Sequence, residues 1–352
     1  MTLSPARAAS CFHAGVSCRS RRQKRRETST YTHAVEGANE LLVLGRDELV
    51  SLGVTWTDLV DVLEDAFRQK AQGLVQNPPK PALHPRPDSF INAMPAYLGG
   101  VDRAGLKWIA GYESNRARGL SYINGIFVLT EADTGRSLAI MDGGWITEMR
   151  TAGVSGVVLR QVSASPHTVA IVGAGAQARR HLELVLELHP EVEEVRAFDI
   201  ASAASRTLLA LAGDRRAAVA SSAAEAVAGA DLVITALTTM LPERLTCEET
   251  APDAVLLPVD YEFGLDPHVS SDAVLYAVDD LGQYHANVAE HFEGYREPDG
   301  ELAEVVAGTL PVPASRRRMF LNMGIAMDDV ALGALCYDRA LERGVGRTIE
   351  FP

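Results

Sequence analysis

Thr168-Val169-Ala170-Ile171-Val172-Gly173-Ala174-Gly175-Ala176-Gln177-Ala178 is the stretch that decides the fold. Its first five residues form an apolar, β-branched run of the kind that makes a buried strand. The next six match Gly-x-Gly-x-x-Ala and open directly into a helical pattern. Gly173 permits the tight turn, Gly175 lets the backbone approach a pyrophosphate, and Ala178 keeps helix and strand close. The helix N-terminus then supplies N–H donors and partial positive charge. Asp199 ends the next strand-like run, 21 positions after Ala178. An acid there accepts hydrogen bonds from both ribose hydroxyls and repels a 2′-phosphate, so the pattern favours NAD over NADP.

C-terminal to this turn, strand-like and helical runs alternate. The strands are Glu194–Asp199, Ala217–Ala220, Leu232–Ala236, Ala254–Val259 and Ala273–Val278, with helical runs at Gln177–Leu188, Ser202–Ala212 and Ser222–Ala228. Such alternation indicates an α/β, doubly wound parallel sheet. N-terminal to the turn the pattern differs. A strand-like Leu41–Leu44 precedes an amphipathic helix from about Thr57 to Gln72, then a Pro-rich extended loop over 77–87. Short runs follow at Phe90–Ala93, Leu106–Ala110, Ile126–Thr130 and Leu138–Met141, with no helix between them, which reads as an antiparallel or mixed sheet. A helix from Thr147 to Arg160 joins the two parts. A last helical run, Ile325 to Arg343, lies beyond the wound sheet and can pack back on the first part, making it discontinuous. The expected division is a basic leader over 1–38, an α+β substrate and dimerisation domain over 39–150 and 315–352, and a Rossmann domain over 151–314.

Composition bounds the function. Of 352 residues 47% are hydrophobic and 22% charged, which excludes general disorder and a fibrous fold. The formal charge of −13 argues against a nucleic-acid partner, because phosphate binding needs clustered Lys and Arg. No apolar run is long enough to span a bilayer, so no membrane partner is expected. Four scattered cysteines do not make a disulfide framework, and the protein is expected to be cytoplasmic. Residues 1–37 carry seven basic side chains against two acids, without the apolar stretch of a secretory signal, and read as a disordered appendage. Cys11, His13 and Cys18 in it lack a four-ligand pattern, and no metal site is expected.

Four charged residues in apolar or glycine-rich settings stand out as substrate-binding candidates. Lys107 lies in Gly105-Leu106-Lys107-Trp108-Ile109, where alternation puts it on the face opposite Leu106 and Trp108. Arg150 falls in the first turn of the expected helix, where a cation opposes the helix dipole unless an anion is bound nearby. Lys80 sits in the stiff Pro-rich loop. Asp260 follows a strand, at the carboxyl edge where open α/β sheets bind ligands. His285 and His291 are six apart, on different sides of a helix, and read as non-ligands. Asp328-Asp329 reads as charge on a helix face, near a dimer contact.

Met94-Pro95, Gly105-Leu106-Lys107-Trp108, Met149-Arg150-Thr151-Ala152, the Gly173–Gln177 turn, Leu265-Asp266-Pro267 and Met323-Gly324 together resemble the ornithine cyclodeaminase/μ-crystallin family, from about residue 41 to 345. The resemblance implies a homodimer with a discontinuous substrate domain, acting on a small amino acid or imino acid. It implies that Lys80 and Lys107 grip the substrate carboxylate, that Met323 lines the substrate pocket, and that Asp260 handles protons. It assigns Arg150, Thr151, Gly173, Gly175, Ala176, Gln177, Asp199, Thr238, Val259 and Asn322 to the dinucleotide. The chain departs from that pattern in having Lys80 for an arginine, Asn92 for a glutamate two residues before Met94, Tyr122 for a threonine, Asn322 for a serine, and Tyr261-Glu262-Phe263 where the cyclodeaminases carry Pro-Gly-Lys.

The expected chemistry is hydride transfer at a carbon bearing nitrogen, next to a carboxylate, with Lys107 and Asp260 as the catalytic pair. An amino-acid dehydrogenase or imine reductase and a cyclodeaminase that releases ammonia both fit this description. A dinucleotide-binding protein without catalysis is the reading of another class.

Overall fold

The computed structural model describes residues 40–162 and 165–351; the basic leader, with Cys11, His13 and Cys18, lies outside them. The chain begins with strand β1 (Glu40–Leu44), helix α1 (Arg46–Ser51) and helix α2 (Trp56–Ala71). α2 starts at Trp56 because Thr55 and Asp58 form a reciprocal capping box, each side chain satisfying the other's backbone N–H. Its apolar stripe Leu59, Val60, Leu63 and Phe67 is fully buried. Strands β2 (Val75–Gln76), β3 (Ala82–Leu83), β4 (Ser89–Leu98), β5 (Arg103–Tyr112), β6 (Ile123–Glu131) and β7 (Ser137–Asp142) follow. β1 pairs in parallel with β7, and every other pair of this first sheet is antiparallel.

Helix α3 runs Gly143–Gln161, one turn longer at its start than the sequence suggests. Gly143-Gly144 reads as a turn, yet the Asp142 side chain accepts from Trp145 N at 2.6 Å and caps the helix there. Arg150 therefore sits well inside α3, not in its first turn, and the helix-dipole argument for it does not apply. α3 is almost wholly buried because it threads between two other helices. Gly156 makes room: a Cβ there would lie 2.5 Å from Val60 Cγ2 of α2 and 2.9 Å from Leu184 Cδ1 on its other side.

The second sheet comprises β8 (Thr168–Val172), β9 (Glu194–Phe198), β10 (Arg216–Val219), β11 (Leu232–Thr235), β12 (Val255–Pro258), β13 (Leu275–Val278), β14 (Gly300–Glu301) and β15 (Arg318–Leu321). Between them lie α4 (Ala176–Leu188), α5 (Ser202–Leu209), α6 (Ala223–Val227), α7 (His268–Asp272), α8 (Leu281–His291) and α9 (Leu302–Val306). The strand order is β10-β9-β8-β11-β12-β15-β13-β14, all parallel. The chain winds outward from β8 in one direction and restarts at β11 in the other, which opens a crevice at the carboxyl ends of β8 and β11.

Helix α10 (Ala326–Arg343) and strand β16 (Arg347–Glu350) complete the first sheet, whose order is β16-β1-β7-β6-β5-β4-β2 with β3 beside β4. α10 lies across β4, β5 and β6. One boundary needs correction. Arg318–Leu321, expected with the first domain, is a strand inside the second sheet, so the chain crosses back at Asn322–Gly324 and not at 315. Arg318 concealed it: a charged residue opens a fully buried strand because its guanidinium donates to the Asp253 carbonyl at 2.7 Å.

Gly156→Val should destabilise the protein by about 1–3 kcal/mol through overpacking between α2 and α4. A lower urea midpoint with an unchanged slope would show it.

Candidate active site

The turn after β8 takes the shape its glycines allow. Gly173 has φ +97° and lies so close to the Ala236 carbonyl that no Cβ fits. Gly175 is the N-cap of α4, has no side-chain cap, and faces open space, with nothing within 4 Å of a Cβ position. The first amide donors of α4, starting at Ala176, are thus left for a ligand. Asp199 braces the turn: its Oδ2 accepts from Ala174 N at 2.9 Å and its Oδ1 from Ala201 N at 2.8 Å. Both oxygens keep a further lone pair. Open space above Gly175, uncapped amides and an acid at the end of the next strand fit the pyrophosphate and ribose of a dinucleotide.

Gln177 in the first turn of α4 donates to the Thr147 carbonyl of α3 at 3.2 Å, tying this turn to α3 one helical turn before Arg150 and Thr151. A buried polar chain ties the two helices to β15. Asn322 Nδ2 donates to Ser155 Oγ at 3.1 Å, Ser155 Oγ lies 3.0 Å from His181 Nε2, and His181 Nδ1 lies 2.8 Å from the Gln177 carbonyl. A carbonyl only accepts, so Nδ1 carries the proton, Nε2 accepts from Ser155, and Ser155 accepts from Asn322. Burial holds His181 neutral, with its pKa down at about 4. Val259 follows β12 and donates its N–H to the Thr235 carbonyl of β11 at 2.9 Å, at the crevice. Thr238 is turned to another partner: it accepts from Arg116 Nη2 at 2.8 Å, and that guanidinium lies over the Tyr122 ring.

The carboxyl ends of β12, β13 and β15 carry Asp260, Asp279 and Asn322-Met323-Gly324. Asp260 is buried, its Oδ1 accepting from Thr235 Oγ1 at 2.8 Å and its Oδ2 from Leu237 N at 3.1 Å. Burial raises its pKa to about 7, against those two hydrogen bonds. Lys80 reaches over from its loop, donating to the Met323 and Gly324 carbonyls at 2.9 and 3.0 Å, 5.6 Å from the Tyr261 ring. Gly324 donates its N–H to Asp279 at 2.7 Å, and a Cβ on Gly324 would collide with the Arg150 guanidinium.

Lys107 faces inward from β5, fully buried, while Leu106 and Trp108 point outward at 40% and 42% exposure. Its ammonium donates to Asp329 Oδ1 at 2.7 Å, and Arg150 Nε lies 3.3 Å from the same oxygen. Asp328 and Asp329 are therefore not surface charge: both sit in the first turn of α10 with no exposure. Burial and the neighbouring Arg150 push the Lys107 pKa down to about 7, and Asp329 opposes them. Asp328 has no hydrogen-bond partner at either oxygen, and burial holds it well above the usual carboxylate range. Arg150 Nε and Nη1, Asp279 Oδ1 and Asp329 Oδ2 also lack hydrogen-bond partners. This grouping of unused polar atoms in one buried place suits a site awaiting a charged ligand.

No group of acids, histidines and cysteines among the described residues is placed to hold a metal ion, and none of their helices is long and apolar enough to cross a membrane.

A model of the ornithine cyclodeaminase/mu-crystallin family matches residues 43–344. Nodulation efficiency protein NfeD of Rhizobium meliloti is 32% identical over 315 residues, covering 88% of this chain and 98% of that protein. Two solved structures share the fold throughout. Delta(1)-pyrroline-2-carboxylate reductase of Thermococcus litoralis, in complex with NADH and L-proline, has 26% identity and a TM-score of 0.78, covering 88% of this chain and 100% of that one. An archaeal alanine dehydrogenase dimer with bound NAD has 27% identity and a TM-score of 0.79, covering 89% and 100%.

Gly175→Asp tests the turn. The φ of −83° suits any residue and the space is open, so the urea midpoint should stay put. NADH affinity, read by fluorescence titration, should fall by roughly tenfold or more, about 1.4 kcal/mol or more of binding energy.

Proposed function

The chain belongs to the ornithine cyclodeaminase/mu-crystallin family, and from that membership and the site just described we propose that it is an NAD-dependent oxidoreductase acting at the nitrogen-bearing α-carbon of a small amino acid or imino acid. One observation carries the reading: buried Asp260, its pKa raised to about 7 by burial, stands at the mouth of the dinucleotide crevice, Lys80 reaches the adjoining Met323 and Gly324 carbonyls, and Arg150, packed against Gly324, shares Asp329 with buried Lys107. When bound, the nicotinamide ring supplies the hydride acceptor or donor.

The chain's own residues do the rest. Gly173, Gly175, Ala176 and Gln177 receive the pyrophosphate with Arg150 and Thr151, Asp199 takes the ribose, and Val259, Thr238 and Asn322 border the crevice. Lys107 holds the substrate carboxylate, and Lys80, anchored on the Met323 and Gly324 carbonyls, adds positive charge beside it. Fixing the carboxylate orients the α-hydrogen, and such placement is worth several kcal/mol of barrier. Asp260 takes the proton from the substrate ammonium, because hydride leaves readily only from the neutral amine; in the reverse direction it returns that proton. Asn92 on β4 offers no carboxylate for a distal ammonium, which sets this reading above ring closure by a diamino acid. The compartment consistent with it is the cytoplasm: among the described residues Cys247 and Cys336 are free thiols.

We also read the protein as a homodimer. Leu106, Trp108 and Ile126 form an apolar patch on the outer face of β5 and β6, exposed by 40%, 42% and 47%, with Trp108 directly opposite Ile126. Trp108→Glu should shift the sedimentation coefficient from dimer to monomer.

The enzymatic reading is tested by absorbance at 340 nm with NAD and a panel of amino acids, followed by product analysis. Steady NADH formation is expected; turnover without net NADH, with a cyclic product, would indicate a cyclodeaminase, and binding without turnover a non-catalytic protein. The pH profile gives a finer check. With a pKa near 7, Asp260 is a neutral acid below pH 7 and a base above it. Amino-acid oxidation should therefore rise through about pH 7 and imine reduction should fall through it. Asp260→Asn should lower kcat by about 10²–10⁴-fold and abolish that limb, with little change in NADH affinity.

A further inference from the structure

Asp329 Oδ1 is shared. It accepts from Lys107 at 2.7 Å and lies 3.3 Å from Arg150 Nε, with both the lysine and the aspartate fully buried. One carboxylate oxygen thus stands between the cation assigned to the substrate carboxylate and the cation assigned to the dinucleotide phosphates. Arg150 is half-engaged: its Nε and Nη1 have no hydrogen-bond partner, and the first turn of α4 lies against its own helix through the Gln177–Thr147 bond. An anion that reached this guanidinium, which lies between Asp329 and Gly324, would find its Nη1 without a hydrogen-bond partner.

We propose that Asp329 is a positioning residue that couples the two ligands: dinucleotide phosphates engaging Arg150 leave Asp329 to Lys107 alone, and Lys107 then takes up a proton and becomes able to hold the substrate carboxylate. The inference rests on the dinucleotide reading above and adds an order to it, cofactor before substrate. The charges facing Lys107 make the direction clear. Lys80 from its loop and Arg150 from α3 repel the ammonium, Asp329 from α10 attracts it, and burial pushes the carboxyl of Asp328, beside Asp329, well above the usual carboxylate range. Asp279, after β13, lies near Arg150 and Lys80. In the unliganded protein burial and the two cations win, and the amine is only partly protonated near neutral pH. Pyrophosphate, carrying negative charge, cancels the repulsion from Arg150 and frees Asp329 from its second partner. Both changes favour the ammonium, and the proton comes from solvent. A carboxylate arriving before that would meet a lysine only partly protonated near neutral pH.

The test is calorimetric titration of the full chain with NADH at pH 7.5 in PIPES, MOPS and imidazole, whose ionisation enthalpies differ. The slope of observed heat against ionisation enthalpy counts protons exchanged. Net uptake of about half a proton per NADH is expected, as follows from an amine moving from mostly neutral to mostly charged at that pH. ADP-ribose, which keeps the pyrophosphate but lacks nicotinamide, should cause the same uptake, and adenosine none. Lys107→Met and Asp329→Asn should bind NADH without uptake, and Asp329→Glu should restore part of it. Tight NADH binding with no proton uptake would overturn the coupling and leave the proposed function standing, as would uptake that persists in Lys107→Met. Failure of the protein to bind NADH at all would overturn both. The ADP-ribose and adenosine comparison uses the unaltered protein, so it decides the matter even where a buried-charge variant fails to fold.

Discussion

A lysine amine, which burial leaves only partly protonated near neutral pH, and an aspartate, both without solvent exposure, meet between a sheet and the helix that crosses it. Taking two charges out of water costs several kcal/mol per ion, and their mutual attraction repays it only with good geometry. The 2.7 Å contact between Lys107 and Asp329 supplies that geometry at one oxygen. It does not make the site comfortable: Arg150 adds a second cation, and burial pushes the Asp328 carboxyl well above the usual carboxylate range. Replacing a buried ion pair by apolar side chains of similar volume is often neutral or stabilising. The placement of this pair at the junction of α10, β5 and α3 is better explained by ligand chemistry than by stability.

The rest of the architecture serves that junction. The wound sheet delivers Asp260, Asp279 and Met323-Gly324 from the carboxyl ends of adjacent parallel strands. The mixed sheet delivers Lys107, and its alternation puts the same strand's Leu106 and Trp108 on the outer face. α3 belongs to both parts, carrying Arg150 toward the first sheet's pocket and Ser155 toward the second. A largely buried helix in contact with both parts is a sensible mount for a residue that must feel both ligands.

Much of this was legible in the sequence, and the limits have a physical pattern. The β8 turn was readable because a strand, a glycine turn and a helix are contiguous, so local periodicity carries the information. Lys107 was readable because strand alternation sorts it from Leu106 and Trp108. The role of Asp328 and Asp329 was not, since the partner that brings Asp329 inside is 222 residues away and a pair of acids at a helix start ordinarily faces water. β15 was missed because buried Arg318 mimics a loop, and the start of α3 because Gly143-Gly144 mimics a turn. Arg116, which claims Thr238, gave no local signal at all. Local pattern reports elements and faces; long-range charge pairing decides which acids are inside.

The Asn322–Ser155–His181–Gln177 chain has one further implication. Every hydrogen in it points the same way, from β15 toward α4, because the carbonyl at its far end admits no other arrangement. The amide of Asn322 is thereby oriented from three residues away, with its oxygen left over as a buried acceptor. Exchanging any one member reverses or breaks the sequence of donors, so Ser155, His181 and Asn322 should be inherited as a set, and a relative that alters one should have altered its companions.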